Sequence, residues 1–304
     1  MPRLNTHDTQ CGKAAGRYAA RSFGRAVRDG MGAAGASLLI ASLAGAAWPA
    51  RPPQPLPPTA PLAAPQAQVA SQTAPGHAHQ LIAQAIAALG GETYLKARNM
   101  TGMGQIYTYN GEGEMNGYGM RFWSFSSFPG KQRLELTRKR DVIYIYNGLK
   151  AWQVTYRGVT PLNAKQMRRY ENVDEHSLGR VLRQWVNTPG TLILDRGLTQ
   201  GGARQVEQVD LISPQNHTVH LQLDLFTHLP ERLIWRKRDP YLGTFVRQMV
   251  VFGNYQRIQG VMTPMMVQRF DGTQPVEEQI YYQVQYPASL PANLFVPPKK
   301  LPKG

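Results

Sequence analysis

The sequence predicts a mainly β fold of the α+β class, in which one strongly curved antiparallel sheet forms a half-open β-barrel with helices as plug and lid. Three observations lead there. From Met100 onward apolar and polar residues alternate with period two, as strands with one buried face require. The runs are short and separated by turn signals such as Asn147-Gly148 and Asp271-Gly272, which leaves no room for the helical crossovers of a parallel sheet. Helical periodicity occurs in only two regions, near 79–89 and 163–187. Two short helices cannot cover the apolar face of about ten or eleven strands, so the sheet has to bend around them.

The 304 residues are 42% apolar and carry 34 Lys+Arg against 19 Asp+Glu, a formal net charge of +15. That apolar share is enough for a sizeable core. The single cysteine, Cys11, excludes a disulfide framework and any cysteine-based zinc or iron–sulfur site. After residue 50 no apolar run approaches the roughly 20 residues that cross a bilayer as a helix.

Residues 1–50 are expected to be a signal peptide or N-terminal anchor. Arg17, Arg21, Arg25 and Arg28 supply a basic n-region. Met31 to Ala50 carries no charge, centres on Leu38-Leu39-Ile40 and contains Ala44-Gly45-Ala46, the small-x-small pattern of a cleavage site. Cleavage and retention as an inner-membrane anchor both remain open. Either places the protein in the periplasm or cell envelope. Residues 51–78 hold Pro52, Pro53, Pro55, Pro57, Pro58, Pro61, Pro65 and Pro75 among Ala and Gln, and read as an extended, disordered linker. The folded domain is expected over 79–304. Most of the positive charge lies in it.

Within that domain Leu81, Ile82, Ala85, Ile86 and Leu89 share a helical face, stopped by Gly90-Gly91. Strands are expected at 103–109, 121–125, 132–138, 142–146 and 152–156, with a long mobile loop at Gly111, Gly113, Gly117 and Gly119. Asn163 and Gln166 have capping-box spacing, and Leu178, Val181, Leu182 and Trp185 continue one amphipathic helix up to Pro189-Gly190. Strands resume at 219–225, 232–236, 245–252, 262–270 and 280–286.

A curved sheet of this kind can enclose an apolar ligand cavity. Its expected lining is Trp123, Phe125, Leu134, Leu136, Trp152, Val154, Leu182, Trp185, Leu233 and Trp235. Residue identity leaves a second reading equally open, in which these side chains pack a solid core. Three basic clusters, Arg138-Lys139-Arg140, Arg168-Arg169 and Arg236-Lys237-Arg238, are either solvated faces or contacts for anionic lipid head groups.

The residues for catalysis are missing. His217 and His220 lie three apart on a strand and face opposite ways, and His77 and His79 border the linker, so no metal site is expected. The glycine pairs lack the strand–loop–helix setting of a phosphate loop, Glu277-Glu278 alternate across a strand, and no serine sits in a nucleophile elbow. No enzyme activity, cofactor or nucleic-acid partner is expected.

Several segments resemble the outer-membrane lipoprotein-sorting carriers of LolA/LolB-like fold. Ala88-Leu89-Gly90-Gly91, the strand that starts from Pro129 to Arg133, and Asn147-Gly148 before Trp152 resemble their first half. Leu223-Asp224 with Leu229-Pro230-Glu231-Arg232, then Phe252-Gly253-Asn254-Tyr255, Gly260-Val261 and Pro264 resemble the second, and Leu290-Pro291 with Phe295-Val296-Pro297-Pro298 the close. The resemblance covers roughly 86–298. It implies a half-open barrel with a helical lid whose cavity holds acyl chains of a lipid or lipidated protein. The long proline-rich segment, the positive charge and the lack of a lipobox set this chain apart as a divergent member. The expectation is therefore an exported, non-enzymatic lipid- or lipoprotein-binding protein. The alternative is an envelope sensor or binding module that recognises protein or polysaccharide and has a filled core.

Overall fold

The computed structural model describes residues 75–238 and 243–302. The export signal expected over 1–50, and the linker as far as residue 74, lie outside the described residues. Thirteen strands make one antiparallel sheet that curves without closing. The first meander comprises β1 (Asn99–Thr108), β2 (Met120–Ser127), β3 (Lys131–Leu136), β4 (Val142–Asn147), β5 (Lys150–Thr155) and β6 (Gly158–Pro161). The second comprises β7 (Leu192–Gly201), β8 (Arg204–Ile212), β9 (Thr218–Asp224), β10 (Pro230–Arg238), β11 (Phe245–Ile258), β12 (Val261–Asp271) and β13 (Gln274–Gln285). Pairing of β1 with β13 joins the two, which leaves β6 and β7 as the free edges.

Helix α1 (Pro75–Leu89) begins before the expected His79 and buries Ala78, Leu81, Ile82, Ala85 and Leu89. It stops because Gly90 adopts φ 121 and leaves no space for a side chain: a Cβ there would lie 2.4 Å from the Gly260 carbonyl oxygen. A short helix α2 (Glu92–Lys96) follows. The other helices lie between the two free edges, since the chain must travel from β6 to β7. They are α3 (Ala164–Glu175), α4 (Leu178–Arg183) and a 3-10 turn at Trp185–Asn187.

The expected single helix over 163–187 is thus divided. Asn163 and Gln166 do form a reciprocal capping box at its start. The break comes at Ser177, which is extended (φ −73, ψ 151) and whose hydroxyl accepts from the Arg180 N–H to cap α4. A second N-cap signal inside an otherwise continuous apolar stripe was therefore decisive. The strands β6, β7 and β8 were also unforeseen. β6 has four residues, and a bulge between Asp195 and Gly197 breaks the alternation of β7.

Register assigns each side chain to a face. Leu134 pairs across to Ser124 and Tyr144, and Leu233 to Leu221 and Val250. These belong to the inner face, toward the helices. α1, α4 and Trp185 pack on the inner face of the second meander, where Val209, Leu211, Val219, Leu221, Leu223, Leu233 and Trp235 are buried. Each such fully buried aliphatic side chain contributes about 1.5–3 kcal/mol. The outer face of β3–β5 has its own small cluster of Ile143, Ile145 and Val154 with Trp152 beside it. The C-terminal 3-10 turn Ala292–Phe295 crosses that face, tied down by Arg133 Nη1 donating to the Leu294 carbonyl and Asn147 Nδ2 to that of Phe295.

Candidate functional site: a hollow beneath α3

The helices fill one half of the curved sheet and not the other. No residue of α3 is buried, in contrast to α1 and α4. Between α3 and the inner face of β1–β4, β12 and β13 lies a cavity of about 660 Å³, within the range that takes drug-sized or single-chain ligands. Met100, Ile106, Met120, Leu134 and Leu136 make its apolar floor, and Leu162, Tyr170, Val173 and Leu178 its roof. On the floor β1 carries Gly102 and Gly104. A Cβ at Gly104 would meet the Ile280 carbonyl oxygen at 2.0 Å, so the close approach of β13 requires glycine.

Two contacts fasten the roof. Tyr146 on β4 stacks on Tyr170 of α3 with ring centroids 3.7 Å apart and planes 11° from parallel. At the far end of α3 the Trp235 indole N–H donates to Asn172 Oδ1 at 3.1 Å. Burial pushes the Tyr146 hydroxyl up to about 12 and raises that of Tyr170 further. Both rings are neutral at any physiological pH, which suits an apolar lining.

The cavity also holds charge. Arg98, Lys131, Arg169, Arg183 and Arg269 contribute to its wall, against Asp174 and Glu277. Asp174 accepts from Arg180 Nε and Nη2 at 3.0 and 2.6 Å, and Glu277 lies 3.6 Å from Arg269. The lining is therefore an apolar trough with a cationic excess.

The ten residues expected to line one cavity divide into three groups. Leu134 and Leu136 line it. Leu182, Trp185, Leu233 and Trp235 lie on the same side of the sheet but in the filled half, in the core with α1. Trp123, Phe125, Trp152 and Val154 occupy the outer face: Trp123 pairs with Glu135 and Phe125 with Arg133, one position out of register with Leu134 and Leu136. A shift of one residue reverses a strand side chain's face. Tyr146, Tyr170 and Met120 were missed; the alternation around Leu134 would have identified the face of Met120 and Tyr146 once the β2–β3–β4 register was known, whereas Tyr170 is on α3.

The basic clusters occupy separate elements. Arg138, Lys139 and Arg140 form the β3–β4 turn, where Arg140 pairs with Glu135 and lies over the Trp123 ring, 5.1 Å from its centroid. Arg168 and Arg169 are on α3, and only Arg169 reaches the cavity. Arg236, Lys237 and Arg238 end β10 on alternating faces, with Arg236 opposite Arg247 on the outer one.

Glu175, His176 and His217 are the one group of three potential metal ligands found among the described residues, with ligand-type atoms within 4.8 Å of one another. Both Nδ1 atoms already serve the fold. His176 Nδ1 donates to the Asn172 carbonyl at 2.7 Å, and its ring lies against Trp235 with centroids 4.9 Å apart and planes 8° from parallel. His217 Nδ1 donates to Glu175 Oε1 at 2.7 Å. The trio clasps the α3–α4 break to the start of β9. On the outer face His220 donates to Asp210, whose carboxyl burial tends to raise but which hydrogen bonds from His220, Arg196 and Gln208 hold below the usual carboxylate range.

No protein-family model matches the chain, and no curated protein does. Among solved structures, a DUF1329 family protein from Desulfovibrio piger is similar at 11% identity with a TM-score of 0.51, over 72% of this chain and 97% of that one. An outer membrane lipoprotein-sorting protein domain from Vibrio parahaemolyticus matches at 12% identity and TM-score 0.46, over 72% and 97% of the two chains. A LolA superfamily protein from Nitrosomonas europaea matches at 15% identity and TM-score 0.46, over 70% and 97%. The fold expected from the sequence is the fold found, a strongly curved, unclosed antiparallel sheet with helices against its inner face, and the likeness to the DUF1329 family protein is one of fold.

Proposed function

We propose that this chain is a non-enzymatic binding protein of the cell envelope that shelters acyl chains, of a lipid or a lipidated protein, in the hollow beneath α3. One observation carries the reading: the inner face of β1–β4 is apolar, yet the helix above it buries nothing of its own. An acyl chain entering such a space gains roughly 0.8 kcal/mol for each methylene taken out of water. The expected export signal places the protein in the periplasm, cleaved or tethered, and the basic clusters are candidate contacts for an anionic membrane surface.

Uptake of a fluorescent fatty-acid probe tests the proposal. Saturable uptake by the full-length chain that is lost in Leu134→Trp, a substitution that fills the trough, supports it. An absence of uptake, with no lipid or acylated peptide co-purifying, leaves the sensor or binding-module reading in its place.

A further inference from the structure

The cavity ends in a corner built around the β2–β3 turn. The Phe128 N–H donates to the Arg98 carbonyl at 2.8 Å, and the Arg183 and Arg180 guanidinium groups lie 5.3 and 5.8 Å from the Phe128 ring centroid. Lys131 follows three residues later and lines the same wall. The turn thus gathers Arg98, Lys131 and Arg183 at one end of the trough with Arg180 beside them, while Arg169 and Arg269 lie apart from them near Tyr146. Arg180 is compensated by Asp174. Among the described residues, no carboxylate lies within ion-pair distance of Arg98, Lys131 or Arg183.

Arg183 occupies the inside of this corner. Its guanidinium sits over the Tyr94 ring at 4.3 Å, and Nη2 donates to the Tyr94 carbonyl at 2.7 Å. Its Nε is buried without a well-formed hydrogen bond, and the Tyr94 hydroxyl, on a ring only 7% exposed, lies against the same guanidinium. Buried donors of this kind are rare and each calls for an acceptor. An oxyanion at the mouth of this corner would accept from the remaining Arg183 N–H groups, while Arg98 and Lys131, exposed at the rim, would close on its outer side.

We infer that the ligand of the α3 cavity is an anionic amphiphile, whose phosphate or carboxylate head is held by Arg98, Lys131 and Arg183 while its chain runs along Leu134 toward Ile106. The inference rests on the acyl-chain reading above and adds to it the charge and orientation of the ligand. The apolar floor sets where the chain lies, and the unmatched cations set which end stays at the corner.

Binding of three palmitoyl compounds to the full-length chain separates the possibilities: palmitoyl lysophosphatidic acid, palmitic acid and the uncharged monopalmitoylglycerol. The anionic pair should bind roughly tenfold or more tighter than the neutral one, and the stronger of the two identifies the head group. Arg98→Gln with Lys131→Gln should erase most of that preference and leave monopalmitoylglycerol unaffected. Arg183→Met, which keeps the aliphatic stem against Tyr94, should do the same. Arg247→Gln, exposed on the outer face of β11, should keep the preference in full. Equal affinity for all three compounds would overturn the inference while the acyl-chain reading stands, and binding of none would overturn both.

Discussion

His176 shows how one buried side chain holds the lid's hinge. Burial keeps its imidazole below the ordinary value, against the opposing pull of the Asn172 carbonyl and Glu175. The unfolded chain therefore binds a proton in a pH range where the folded one does not, so stability is full above the unfolded value of about 6.5 and is lost as pH falls below it. Urea unfolding should show a midpoint that drops from about pH 7 to about pH 5, with the drop reduced in His176→Phe. A drop of the same size in that variant would assign the effect to other groups. The outer-face residues separate stability from binding. Trp152→Asp should weaken the Ile143–Ile145–Val154 cluster and lower the unfolding midpoint, with probe affinity per folded molecule unchanged. Leu233→Ala, in the filled half, should cost about 2–5 kcal/mol in stability. In contrast, Leu134→Trp should change stability by about 1 kcal/mol or less, because it grows into empty space.

The elements explain why part of the architecture was legible in the residues and part was not. The Asn163–Gln166 capping box and the Gly90-Gly91 stop are local devices, and each is found where its spacing put it; the hairpin expected at Asn147-Gly148 forms one residue later, with Asn147 paired to Lys150 and Gly148-Leu149 as its loop. The face of a strand is not local. Trp123 and Leu134 are both apolar within alternating runs, and only the pairing of β2 with β3 tells that they point apart. The cavity shares that difficulty, since its lining joins α3 to six strands drawn from both meanders. α3 itself is held by the Tyr146–Tyr170 stack, the Asn172–Trp235 hydrogen bond and the Glu175–His217 pair. Tyr170→Ala removes the stack, worth about 0.5–1.5 kcal/mol. Stopped-flow release of a bound probe should then be several-fold faster with the core intact. An unchanged rate would mean that α3 does not gate the hollow.

At the scale of the whole molecule, the chain spends its two core-filling helices on one half of the sheet. β7–β12 receive α1, α4 and Trp185 and become a conventional core. β1–β4 receive a polar helix bridging the free edges, so their inner face keeps a trough. This asymmetry reconciles the two sequence readings of the apolar residues: Leu182, Trp185, Leu233 and Trp235 pack, whereas Leu134 and Leu136 line. Part of the positive charge has a place there too, since Arg98, Lys131, Arg169, Arg183 and Arg269 line the trough. Native mass spectrometry of the full-length chain, purified from its own membrane fraction, tests that asymmetry most directly. The account predicts one bound amphiphile of low mass, released on collisional activation and missing from Leu134→Trp; a bare polypeptide mass, together with a wild-type chain that takes up no palmitoyl probe, would contradict it.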